Sequence, residues 1–223
     1  MTARKELIKL AKKIKDTELR KKVVEFIKNP KLTSKDFTKY KPEDLEKAGS
    51  IFVVSGPTSM GPIERDVLRH TIILTELVEI VADFVKEKFD IPLNKDYMIA
   101  AAILHDMMKI FEFRRDEKGE LQHTGIMLDH TMLAVAEFYK RGLPEDVIHI
   151  IAAHAGEAGT TPPRSFEALI FHYLDSLVSL VEYYLYGKMQ QMIAQQMVQE
   201  GKVMAISEDE LKKMFGEEAE KKE

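Results

Sequence analysis

Apolar positions recur at helical spacing along most of this chain. In residues 3–28, Leu7, Leu10 and Ile14, then Val23, Val24 and Ile27, form a stripe against lysine and glutamate, predicting an amphipathic helix that Asn29-Pro30 stops. Residues 31–62 lose the period and read as a connector. Asp36-Phe37 and Pro42-Glu43-Asp44 begin short helical turns, 51–54 is an extended stretch, and Ser55-Gly56-Pro57 and Gly61-Pro62 break the pattern. Pro62 suits the first turn of a helix predicted to run to about Phe89. Asn94 is the expected N-cap of a helix from Lys95 to about Phe113, whose residues 98–104 form a core segment.

Asp116-Glu117-Lys118-Gly119 reads as a tight turn in a small hairpin joining 111–114 to 120–123. A helix is then expected from about Asp129 to Gly142, which suits a left-handed cap, and another from Pro144 to near His154. Ser165 caps a helix from Phe166 to about Tyr186, followed by a Met- and Gln-rich helix and an acidic terminal helix or tail. The predicted fold class is all-α with one small β-hairpin.

Composition narrows the functional classes. The 223 residues, 45% hydrophobic and 31% charged, are enough for one globular domain with an appendage. Cysteine is absent, which excludes disulfides and thiolate metal sites and fits a reducing cytoplasm. Lys5, Lys9, Lys12, Lys13 and Lys15 interrupt every early apolar run, so no signal peptide is expected, and no stretch approaches the roughly 20 apolar residues of a membrane span. The net charge of −4, with basic and acidic residues interspersed, argues against long nucleic acid as the main ligand.

The chemistry lies in an ordered set of imidazoles and carboxylates: His70, His105-Asp106, His130, His154 and Asp175, all within largely apolar helical stretches. Such side chains bind hard-to-borderline divalent metals, and an apolar setting keeps them oriented and partly dry. Any one histidine in an apolar helix is more often a satisfied core residue. Four on successive helices, joined by Asp106 and ending in Asp175, are hard to explain by packing alone. His105 and Asp106 point about 100° apart on a helix and can flank one ion or set Asp106 between two. Lys109, one turn on, shares their face and needs anionic company there. A bare carboxylate at Asp175, beside Leu174 and Leu177, would be costly without a cation. His172, three residues before Asp175, either packs in the core or supports a ligand, and His149 faces away from His154. His123 lies beside the hairpin turn, where solvent or substrate is its partner.

These residues resemble the HD-domain superfamily of metal-dependent phosphohydrolases, in the longer version with six ligands. Ala102-Ile103-Leu104-His105-Asp106-Met107-Met108-Lys109 stands where many members carry Leu-His-Asp-Ile-Gly-Lys, Met107-Met108 replacing Ile-Gly. His154-Ala155-Gly156-Glu157-Ala158-Gly159-Thr160, Pro163, Glu167-Ala168-Leu169, His172 and Asp175 resemble the branch that includes bacterial 3′-to-5′ exoribonucleases. Those usually carry an OB domain that residues 1–60 are too short and too helical to supply. The resemblance covers about 62–181. It implies an HD helical bundle over 61–187, between a helical extension at 1–60 and a C-terminal helix with acidic tail at 188–223.

The resemblance further implies that Asp106 bridges two divalent ions, with His70, His105 and Asp175 completing one shell and His130 and His154 the other. Iron or manganese is expected, with nickel, cobalt or magnesium found elsewhere in the superfamily. Asp106 and Lys109 are the expected catalytic groups. Arg65, read as one helical turn before His70, and Arg114 and Arg115 are placed to hold a distal anionic group, with His123 as a further substrate contact. The loop 55–61 would wall the pocket.

The expected activity is hydrolysis of a small nucleotide-like or cyclic phosphate ester. An exoribonuclease acting on short RNA and a non-catalytic nucleotide sensor are the alternatives. The Met- and Tyr-rich stretch 183–204 either completes the core, the simpler expectation since Met fills gaps, or forms a homo-oligomer interface.

Overall fold

The computed structural model describes residues 2–54 and 59–199. The acidic end and residues 55–58 of the expected pocket wall lie outside them. Two compact units divide the chain, the first extending to Tyr183 and the second beginning at Tyr184.

The expected first helix is two: α1 (Ala3–Ala11) and α2 (Thr17–Lys28). Asp16 breaks the run because its carboxylate accepts from the Glu18 and Leu19 N–H groups, starting a new helix in the middle of the apolar stripe. The stripe still buries Leu7, Leu10 and Ile14 together with Leu19, Val23, Phe26 and Ile27. Two short 3-10 turns, Lys35–Phe37 and Leu45–Lys47, follow.

The connector then holds a hairpin. Strand β1 (Gly49–Phe52) pairs antiparallel with β2 (Ile63–Asp66), Ser50 opposite Arg65. The helix predicted from Pro62 therefore begins later, as α3 (Val67–Phe89), where Asp66 caps the Arg69 N–H. Ile63 and Arg65 are buried while Glu64 and Asp66 are exposed, so the four residues follow the period of a strand. Arg65 consequently reaches the interior from a strand, not from the helix of His70. Asp90, in the left-handed region at φ 56°, ends α3.

Helix α4 (Lys95–Leu104), capped by Asn94 on the Tyr97 N–H, is the central element, with every residue from Met98 to Leu104 buried. Ala100, Ala101 and Ala102 let α1, α2, α3 and a later helix, α7, close around it. The helix predicted to reach Phe113 stops at His105. A turn carries Asp106, Met107 and Met108 before the short α5 (Lys109–Glu112).

Strands β3 (Phe113–Arg115) and β4 (Leu121–His123) form the expected hairpin, with Gly119 at φ 83° in its turn. Helices α6 (His130–Lys140) and α7 (Glu145–Ala152) pack on each other, separated by left-handed Gly142. The last helix, α8 (Phe166–Gln199), is one element where two were expected.

Candidate metal centre

Each of the six expected ligands comes from a different local device. His70 lies one turn into α3, at a phase set by the Asp66 cap, and is fully buried. His105 closes α4 and Asp106 begins the turn after it. His130 is the first residue of α6, beneath the Asp129 cap. His154 follows α7, and Asp175 lies on the inward face of α8.

The structure brings these side chains together in two overlapping groups. His70, His105 and Asp106 offer ligand atoms within 4.8 Å of one another, and so do Asp106, His130 and His154. Asp175 joins the first group, its Oδ1 lying 3.1 Å from His70 Nε2 and 3.9 Å from His105 Nε2. Asp106 belongs to both, with Oδ1 3.4 Å from His130 Nε2 and Oδ2 3.6 Å from His105 Nε2.

The ring orientations are fixed from behind. The Nδ1–H of His105 donates to the Ala102 carbonyl at 2.9 Å, and that of His154 to the Ile151 carbonyl at 2.8 Å. A carbonyl only accepts, so both Nε2 atoms carry lone pairs aimed into the cluster. Nε2 of His70, His105 and His130, and Oδ1 of Asp106, are buried and lack a hydrogen-bond partner. Converging unpartnered acceptors are costly in an apolar interior unless a cation answers them. The nitrogen and oxygen donor set therefore fits divalent metal.

The electrostatics agree. Burial pushes His105 down to about 3, against the pull of Asp106 and Asp175, so its ring is neutral at ordinary pH. Burial likewise lowers His154. For His70, burial and Arg65 act downward but the carboxylates of Asp175 and Glu182 outweigh them and raise it. Asp106 is held well below the carboxylate range despite burial, because Lys109, His105 and Arg65 surround it. Lys109 Nζ is 2.8 Å and Arg65 Nη2 2.7 Å from Asp106 Oδ2.

Two glutamates complete the site that sequence reasoning missed. Glu182 Oε2 accepts from His70 Nδ1 at 2.9 Å, and Glu112 Oε2 lies 3.4 Å from His130 Nδ1. Each group thus has one imidazole backed by a carboxylate. A signal for Glu182 was available, since it and Asp175 are the only charged residues between 168 and 187 and lie two turns apart on one face. Glu182→Gln should weaken metal affinity roughly 10- to 100-fold, the usual effect of losing such a carboxylate. Equilibrium dialysis of the folded variant checks this, and unchanged affinity would remove Glu182 from the site.

The other expected residues divide. Arg65 is inside the cluster and also meets Ser179 Oγ at 3.0 Å. His172 donates from Nδ1 to the His154 carbonyl at 2.8 Å, and a Cβ at Gly156 would overlap the His172 ring. Glycine is therefore required where the segment after His154 passes under that ring. Arg114 donates to the Lys41 carbonyl at 2.8 Å, and with His123 it lines a cavity of about 440 Å³ against the hairpin, with Lys39, Tyr40 and Lys41. That cavity is not lined by the six clustered residues. It approaches them through His123 Nε2, which lies 4.0 Å from Glu112. Arg115 is committed to Glu64 and to the Gly119 carbonyl. His149 accepts from the Arg164 N–H, outside the cluster. Of the expected pocket wall, Met60 and Gly61 are tied to the Tyr183 hydroxyl, at 2.7 and 2.8 Å.

The HD domain family pattern matches residues 67–180, the span holding all six. The chain belongs to the HD-domain family. Among curated proteins it is 43% identical over 179 residues to the dihydroneopterin 2′,3′-cyclic phosphate phosphodiesterase of Methanocaldococcus jannaschii, covering 78% of this chain and 68% of that protein. It is 29% identical over 119 residues to the 3′-5′ exoribonuclease YhaM of Bacillus subtilis, covering 48% of this chain but 36% of that enzyme. No solved structure matches it. Membership of the family makes this HD protein a hydrolytic enzyme with a divalent-metal site. Among its described residues no helix is long and apolar enough to cross a membrane.

Proposed function

We propose that this HD protein is a metal-dependent phosphodiesterase that opens a small cyclic phosphate ester, carried on a nucleotide-like or reduced-pterin molecule. The observation that carries the proposal is the shared carboxylate: Asp106 stands in both ligand groups, as a bridge between two ions must. His70, His105 and Asp175 would complete one position, and His130 and His154 the other. Iron or manganese fits a nitrogen and oxygen set without thiolate. The cyclic ester is supported by the Methanocaldococcus relative, whose substrate is a 2′,3′-cyclic phosphate.

Bound there, a pair of divalent ions supplies activation of water near neutral pH and Lewis-acid polarisation of the phosphoryl oxygens. The water oxygen adds to phosphorus, one ring P–O bond breaks, and the departing oxygen takes the proton to give a hydroxyl beside a phosphomonoester. Lys109 holds a buried positive charge beside Asp106, where negative charge builds on the phosphoryl oxygens. Arg65 is the second cation at the phosphate, and the buried walls around His105 exclude bulk water. Arg114 and His123 take the part of the substrate beyond the phosphate, in the hairpin cavity.

The test is a single comparison on metal-reconstituted enzyme. Nucleoside and pterin 2′,3′-cyclic phosphates should each be converted to one monoester, while an end-labelled short RNA stays intact. A ladder of shortened RNA with untouched cyclic ester would replace this reading by exoribonuclease activity.

A further inference from the structure

Helix α8 has two faces with opposite chemistry. Asp175, Ser179 and Glu182, at steps of four and three, turn inward to the His–Asp cluster. On the first unit, the outward side carries Phe166, Leu169, Tyr173, Leu177, Leu180 and Val181, all exposed, Tyr173 by 63% and Val181 by 59%. The steps from Phe166 to Leu180 are three, four, four and three, which align these side chains in one seam along the helix. No charge interrupts the seam, because the two acids in 168–187 are both engaged in the interior. Ordinary solvated helices place charge on the outward face. This one places leucine and tyrosine there.

The second unit, taken by itself, has the same character. Leu185, Met189 and Met192 are at least half exposed, so the methionines do not fill core gaps as the sequence alone predicted.

We propose that the outward face of α8 is a two-fold homodimer interface, seated on the same helix of a second copy. Three observations favour a second copy over other occupants. A seam without charges has nothing to specify a charged foreign partner, but it is complementary to itself about a two-fold axis, the commonest closed symmetry. A membrane surface is disfavoured because such helices carry a lysine- and arginine-rich polar face. Here the polar side holds Asp175 and Glu182, and Lys188 is the one lysine or arginine from Phe166 to Gln199. The area is also sufficient. At about 200 Å² for a fully exposed large apolar residue, the first unit's seam alone offers roughly 600 Å². Standard interfaces bury about 600–1,000 Å² per partner, so this seam meets the lower end of that range.

The test uses the full-length protein. Sedimentation at tens of micromolar should give twice the 25.6 kDa chain mass for the wild type. The double substitution Leu177→Lys with Val181→Lys should halve that mass without loss of helical circular dichroism. Because the chain has no cysteine, single substitutions Leu169→Cys, Tyr173→Cys, Leu177→Cys and Leu180→Cys can be oxidised one at a time. Interchain disulfide should peak at the position nearest the axis and fall away on either side. A monomeric wild type would overturn the proposal. So would a dimer that survives the lysine pair, which would move the interface elsewhere, for instance to the exposed Ile80 and Phe84 of α3. Equal cross-linking of an Asp116→Cys control on the distant hairpin turn would also overturn it.

Discussion

Asp106→Ala should abolish metal retention and hydrolysis together. Its carboxylate stands in both ligand groups, so one substitution removes a donor from each position. Two ions contribute several kcal/mol of charge stabilisation at a phosphoryl centre. At about 1.4 kcal/mol per tenfold, activity should fall by roughly a thousandfold or more. Elemental analysis should find the bound metal reduced from about two ions per chain to near none. The substitution also strips a buried partner from Arg65 and Lys109, and breaking a buried pair costs roughly 3–5 kcal/mol of stability. Asp106→Asn keeps the shape and a polar contact, and so separates the two effects. It should fold, with a melting temperature closer to the parent, yet still fail to hold both ions. Full activity in either variant would end the assignment of Asp106 as the bridge.

Lys109→Gln should lower kcat by about 100- to 1,000-fold, the range seen when one preorganised electrostatic partner is lost, while bound metal stays near the wild-type level. The ammonium sits 2.8 Å from Asp106 and is not itself a metal donor, so turnover and metal content should part company in this variant. Its pH signature follows from the site. Burial lowers the Lys109 pKa although Asp106 opposes the shift. In its proposed role Lys109 acts in the protonated form, which is present below that pKa and lost as pH rises through it. Wild-type kcat should therefore decline on the alkaline side at a lower pH than an exposed lysine would give, and the Gln variant should lack that decline. An unchanged alkaline limb in Lys109→Gln would assign the titration to another group.

The clustered imidazoles and carboxylates were legible because most lie in segments whose local pattern is strong. His130 and Asp175 sit at helical positions fixed by Asp129 and Ser165, caps that short-range chemistry identifies, whereas the Asp66 cap that sets His70 was hidden behind Pro62. Arg65 was misread because only four residues, Ile63 to Asp66, alternate before α3 takes over, too few to outweigh Pro62 as a helix start. The break after Leu104 was hidden because no glycine or proline stands between His105 and Met108 to mark it. Glu112 was invisible as a partner of His130 since 18 residues and a hairpin separate them.

The amino-acid sequence by itself determined the helical class, the absence of thiolate chemistry, the order of imidazoles and carboxylates and the phase of each along its own element. Periodicity and capping are properties of neighbours within a few residues, and they survive without knowledge of the rest of the chain. Only the tertiary structure decided that Arg65 enters from a strand, that Glu182 and Glu112 brace opposite imidazoles, and that the apolar side chains of α8 from Phe166 to Val181 are exposed among the described residues. Those outcomes depend on which elements close upon one another across long stretches of chain, a balance of burial and desolvation that local pattern does not encode.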